Sequence, residues 1–360
     1  MSCSYRHPQH RYRNYLLVTV LILLGLPACR SGGPVVTSVI SPTVALTLTQ
    51  PTPVEVAVAT FTPTPSSAQV ILIALPSSDI AKTAALHATL SELAEQDGVS
   101  FETATDLDRL LLTPDTRLVV AVPPDPGIAD LAAANPQVQL LAVGFPDAQV
   151  TSNLSIIGAG GERPDQQGFL AGYLAAVITQ DWRVGTISQT DSPAGKAASN
   201  GFANGVIFFC GLCRPAYPPF IQYPVFVDFP PGGDPQVVVD ALVGNAVKTA
   251  YVPPGVVDVA LLEALAQAGI QLIGNGEPPP QIANQWVASI GMDEMGSVRQ
   301  IWPRLLAGEG GLNLSMPLSL GERNAALFSP GRQRLVDRVL TDLLAGYVDS
   351  GVDPQTGDMR

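Results

Sequence analysis

The chain has 360 residues, more than one hydrophobic core ordinarily organises, so two domains of similar size are expected. A formal net charge of −12 argues against a nucleic-acid polymer or an anionic lipid surface as partner. Three histidines, two of them His7 and His10, leave little for a His-based metal or catalytic site.

Residues 1–15 carry Arg6, Arg11 and Arg13 and no acid, and 16–26 are apolar but short for a spanning helix of ~20 residues. Leu26-Pro27-Ala28-Cys29 follows. The pattern reads as an export signal over residues 1–28. Its end resembles a bacterial lipobox, which implies that Cys29 is lipidated and becomes the mature N-terminus on the extracytoplasmic face of the cell membrane. The alternative is an uncut signal anchor. Removing 1–28 takes three arginines and no acid, moving the net charge from −12 to −15 and leaving His87 alone on a predicted amphipathic helix, where a structural role is expected. Residues 29–68 are rich in Pro, Thr, Val and Ser. Proline disfavours helices and central strands, so they are expected to form an extended tether rather than a packed domain, with an edge strand as the weaker reading.

From Gln69 the pattern changes. The run 69–75 is continuously apolar, as in a parallel strand covered on both faces. Ser78 or Asp79 is placed to cap a helix over 80–95. Strands are predicted at 99–103, 118–122, 138–143 and 154–157, with helices at 106–112 and 128–134 between them. Such alternation with short connections predicts a doubly wound α/β lobe.

Residues 164–178 predict a helix that opens a second lobe. Pro164 and Asp165 suit its first turn. Phe169, Gly172, Tyr173 and Ala176 recur at helical spacing. Gly172 costs a helix interior ~1 kcal/mol against Ala, and a sheet packed close against it is the expected reason. The βα rhythm then repeats: strands at 183–188, 221–229, 249–252 and 270–274, helices at 193–210, 236–247 and 257–268. Pro224 places 221–229 at an edge. A further strand is expected over 283–290, a helix over 293–307, ribbon-like segments at 312–320 and 325–328, and a last helix over 333–347. The fold class is therefore α/β, two Rossmann-like lobes with parallel sheets joined by several crossings. The expected division is 69–160 plus 286–311 for the N-terminal lobe and 161–285 plus 312–360 for the C-terminal lobe. Gly158 to Gly161 lacks the spacing of a dinucleotide fingerprint and reads as crossover backbone.

Two such lobes hold a ligand between the carboxyl ends of their sheets. Those ends offer Ser78, Asp79, Asp125, Phe145 and Asp147 on the first lobe, and Gln189, Asp191, Asn275 and Glu277 on the second. Each also reads as an ordinary loop or capping residue. Cys210 and Cys213 have neither a second pair nor a spare His for zinc. Outside the membrane they are expected to form a local disulfide, the alternative being a catalytic thiol. No Gly-x-Ser-x-Gly elbow is present, and no enzyme is expected.

The stretch Gly168-Phe-Leu-Ala-Gly-Tyr-Leu-Ala-Ala resembles the most characteristic motif of the basic membrane protein family. Gly201-Phe-Ala-Asn-Gly and Ala268-Gly-Ile-Gln-Leu-Ile-Gly resemble further family segments, as does Gly351-Val-Asp-Pro after the last helix. The resemblance spans roughly Gln69 to Pro354. It implies the type I periplasmic binding protein fold, a lipid-anchored receptor, a nucleoside-like small-molecule ligand, an ABC permease as partner, a monomer, and no cofactor or metal. The alternative is a ligand sensor or scaffold of the same fold that has lost transport. The cleft loops depart from the family. Pro76-Ser-Ser-Asp79 lacks its aromatic, Asn275-Gly-Glu277 stands where it has a ribose-binding acid, and Gln166-Gln167 replace acids.

Overall fold

The computed structural model describes residues 68–106, 112–159, 161–189, 191–256 and 258–360. The export signal, Cys29 and nearly all of the tether lie outside the described residues, as do residues 107–111 of the helix expected at 106–112. Among the described residues no helix is long and apolar enough to cross a membrane.

Among the described residues twelve strands form two six-stranded sheets. The first contains β1 (Gln69–Ile73), β2 (Ser100–Ala104), β3 (Thr116–Ala121), β4 (Gln139–Val143), β5 (Leu154–Ile157) and β11 (Asn313–Leu314), in the order β11-β5-β4-β3-β1-β2. The second contains β6 (Val184–Ser188), β7 (Val225–Asp228), β8 (Thr249–Tyr251), β9 (Gln271–Gly274), β10 (Trp286–Met292) and β12 (Leu318–Gly321), in the order β12-β10-β9-β8-β6-β7. Pairing is parallel except for β10 with β12. Strands β3 to β5 are apolar on both faces because helices cover both sides, as parallel sheets require.

On one side of the first sheet, α1 (Ile80–Asp97) and α7 (Glu294–Leu306) bury Leu86, Leu90, Val298 and Ile301. On the other, α2 (Ile128–Ala134) buries Ile128 and Ala132. The second sheet is covered by α5 (Pro235–Gly244) and α6 (Val259–Gln267) on one side. Its other side carries α3 (Pro164–Ile178), α4 (Pro193–Cys210) and α8 (Pro330–Leu344).

Several expectations are corrected. Strand β10, expected in the first lobe, is hydrogen-bonded between β9 and β12 in the second. The segment 312–320 is no single ribbon: β11 joins the first sheet and β12 the second. Segment 325–328 is a turn that buries Phe328. The chain therefore passes from one sheet to the other between β5 and α3, at Asp293 and at 315–317. Pro224 confines β7 to four residues at the sheet edge.

The reason for Gly172 is also corrected. Its neighbour is α4 and not a sheet. A Cβ at Gly172 would overlap the Phe202 carbonyl oxygen, and one at Gly168 the Ala198 carbonyl oxygen. From the other helix, Gly201 and Gly205 meet the carbonyls of Asp165 and Phe169 in the same way. Glycines four apart on both helices thus let two backbones touch, and the helices cross with no side chain between them at four positions. This is the close approach that small residues permit when spaced one turn apart.

The start of α3 is pinned electrostatically. Asp165, fully buried, accepts from Arg163 Nε (2.9 Å) and Nη2 (2.8 Å) and from Ser350 Oγ (2.7 Å). Asn204 Nδ2 donates to the Ser350 carbonyl (2.8 Å), Asn200 Nδ2 to that of Gly357 (2.7 Å), and Lys196 pairs with Asp358. The C-terminal segment is thereby strapped across α3 and α4. A disulfide joins Cys210, the last residue of α4, to Cys213 just beyond it.

Candidate functional site

The carboxyl ends of the strands in each sheet border a cavity. In the first lobe a cavity of about 410 Å³ lies beyond β1, β3 and β4, lined by Ser77, Asp79, Lys82, Thr83, Pro123 and Glu294 among others. In the second a cavity of about 450 Å³ lies beyond β6 and β8. Its polar wall is Glu162, Gln167, Gln189, Ser192 and Gln355, and its apolar wall includes Pro253, Pro254 and Val256. Both volumes lie within the range of small-molecule sites.

Both cavities lie beside chain crossings: Glu294, directly after Asp293, stands on the first wall, and Glu162, just before α3, on the second. Burial pushes the Glu294 carboxyl above the usual range. Lys82 opposes that shift, while the like charges of Glu162 and Asp79 add to it. Tyr251, at the end of β8, is fully buried with its ring stacked on Phe202 (centroids 5.9 Å apart). Burial, with Glu162 adding, pushes its phenol far up. Among the described residues its hydroxyl has no hydrogen-bond partner, and neither do Gln167 Oε1 and Thr83 Oγ1, which belong to cavity-lining residues.

Of the residues expected at the site, Asp79 and Gln189 line the cavities. Asp79 also caps α1, accepting from Lys82 N (2.8 Å), and Gln189 Nε2 donates to the Gly255 carbonyl (3.1 Å), joining the loops after β6 and β8. Ser78 is half-buried beside the first cavity, its Oγ without a partner among the described residues. The others are not brought to the cavity walls. Asp125 accepts from the amides of Gly127 and Ile128 (2.9 and 3.0 Å) and so starts α2. Phe145 is 7% exposed and packed into the core under the first sheet, with no face turned to a ligand. Asp147, Asp191 and Glu277 are exposed outside both cavities, and Asn275 is half-buried against Gly291.

Glu162, Gln167 and Glu294 line the cavities without having been expected there. Gln167 stood beside the quoted family motif, and Glu294 opens a helix directly after a strand, a position at which cleft residues are expected in this kind of fold. Glu162 lies on a crossing whose course no local pattern reveals.

No family model matches the sequence, and no curated protein matches it either. Similarity is found among solved structures. The ABC transporter solute-binding protein from Aeropyrum pernix K1 superposes with a TM-score of 0.52 at 15% identity, covering 78% of this chain and 92% of that one. A transcriptional activator of the comK gene from Bacillus halodurans superposes with a TM-score of 0.56 at 16% identity, covering 81% and 99%. The fold is thus the two-lobed α/β fold of type I periplasmic binding proteins.

Proposed function

We propose that the protein is an extracytoplasmic receptor, tethered to the membrane through Cys29, that captures a small polar ligand between its lobes and delivers it to an ABC permease. The observation that carries this reading is the pair of cavities at the carboxyl ends of two sheets joined by chain crossings, as expected where a ligand lies between two such lobes. Solute-binding proteins with this fold support it. Membership of the basic membrane protein family and a nucleoside ligand are part of the proposal, and rest on the Gly168–Ala176 motif. A sensor of the same fold is the second reading, favoured by the likeness to a transcriptional activator.

Thermal-shift screening with nucleosides and other small metabolites tests the binding step. A ligand at 100 times its Kd stabilises by about 2.7 kcal/mol, or roughly 5–10 °C for a protein of this size at about 2–4 °C per kcal/mol. Absence of any shift across the panel would remove the basis for a receptor. A ligand that binds but is not taken up by cells carrying the protein would favour the sensor.

A further inference from the structure

We infer that the second-lobe cavity takes a flat, uncharged heterocycle, such as a nucleobase, and that Gln355 of the C-terminal segment, together with Gln189, reads the edge of that ring. This rests on the receptor reading and deepens it by naming a residue that selects the ligand.

The apolar part of the cavity wall is built from prolines: Pro164 at the start of α3, Pro193 at the start of α4, Pro253 and Pro254 after β8, and Pro354 near the C-terminus. A pyrrolidine ring has no rotamers to lose, so this wall is preformed surface for the face of a planar ring. Among the described residues of the wall none is aromatic, none is Lys or Arg, and the one carboxylate, Glu162, belongs to an exposed residue. An anion finds no countercharge there, and a neutral ligand needs none.

The polar groups of the wall differ in what they have left to offer. Ser192 Oγ is committed in both directions, donating to the Gln189 carbonyl (3.0 Å) and accepting from Gly195 N (3.0 Å). Gln189 Nε2 is committed to the Gly255 carbonyl, which leaves Oε1 as an acceptor. The Gln355 carboxamide makes no hydrogen bond among the described residues, so it offers a donor and an acceptor side by side in one plane. The adjacent acceptor and donor on the edge of a nucleobase complement that pattern, and a carboxamide can meet them as a pair.

The fold also fixes where Gln355 stands. Asp353 Oδ1 accepts from the amides of Gln355 (2.8 Å) and Thr356 (3.1 Å), and the Asp353 carbonyl accepts from Gly357 N (2.8 Å). Gly357 is pressed on the first turn of α4, where a Cβ would lie 2.7 Å from the Pro193 carbonyl oxygen. The turn 353–357 therefore rides on the helix whose start lines the cavity, and the wall is complete only with the C-terminal segment in place.

Calorimetric titration of the full-length protein and of Gln355→Ala with inosine, adenosine, purine riboside and ribose tests this. Inosine or adenosine is expected to bind the parent, and purine riboside, which keeps the ring but lacks its exocyclic oxygen or nitrogen, to bind about ten-fold more weakly. Ribose is expected not to bind. In Gln355→Ala the preferred nucleoside should weaken about ten-fold, to the level of purine riboside, so that discrimination is lost. Gln355 is exposed and its side chain is unpaired among the described residues, so the variant should keep the parent's Tm, which separates lost reading of the ring from lost folding. A Gln355→Ala protein that binds and discriminates like the parent overturns the inference and leaves the receptor reading standing. Ribose binding as tightly as the nucleosides does the same. Binding of no probe also overturns it, and the receptor reading then stands or falls with the wider metabolite screen alone.

Discussion

Replacing Gly172 by alanine is expected to destabilise the protein by about 3 kcal/mol, the upper part of the range for overpacking. Helix propensity alone predicts the opposite sign, since alanine is favoured over glycine by about 1 kcal/mol in a helix interior. The packing term wins because the new methyl meets backbone and not a side chain that can turn away. It would overlap the Phe202 carbonyl oxygen and lie 2.8 Å from its carbonyl carbon. Gly205→Ala meets the Phe169 carbonyl in the same way and is expected to match it. The double variant should fall short of additivity, because the first methyl already separates the helices. Gly244, which ends α5 with open space around its Cβ position, is the control: Gly244→Ala should be neutral or slightly stabilising. Denaturant midpoints with unchanged m-values measure all four. A Gly172→Ala protein as stable as the parent would show that α3 and α4 do not touch through their backbones.

The second large effect concerns Asp165. Burial penalises its charge, but hydrogen bonds from Arg163 and Ser350, together with the charge of Arg163, hold the carboxyl below its ordinary value of 3.8. Breaking a buried pair by removing one partner costs about 3–5 kcal/mol. Asp165→Ala is expected near the lower end, because the Arg163 side chain is 36% exposed and rehydrates in part. Asp165→Asn retains the shape and should cost less. The depressed carboxyl also sets a direction with pH. Its contribution is fully present above the unfolded value of 3.8 and is lost as pH falls toward its lower folded value, since there the unfolded chain binds a proton that the folded one does not. Urea unfolding between pH 6 and 3 should therefore show a steeper loss in the parent than in Asp165→Asn. Parallel curves would mean that Asp165 does not carry this linkage.

Much of the fold was legible because its causes are local. Continuous apolar runs bounded by Pro, Gly and Asp marked buried parallel strands, and α2, α3 and α4 occupy the predicted residues because capping signals and helical periodicity agree there. Ends were misplaced where a pattern is shared by two structures. The apolar segment 286–292 fits either sheet, and only hydrogen bonding to β9 and β12 assigns it to the second. The segment 312–320 reads as one ribbon-like stretch, yet a three-residue crossing divides it between sheets.

The site was less legible than the fold. Strand ends can be read from hydropathy, which is why Asp79 and Gln189, named from them, stand on cavity walls. Which way a loop side chain points is not encoded locally, and so Phe145 was expected in the cleft although it fills the core. The alternating α/β elements, the acidic charge and the motif at Gly168–Ala176 belong to the sequence by itself, since they follow from composition and short-range periodicity. Two things were left to the tertiary structure: the reason for the glycines of α3 and α4, and the hold of Ser350 on Asp165. Each depends on residues far apart in sequence, 165 with 350 and 172 with 202, whose approach is set by how whole elements pack.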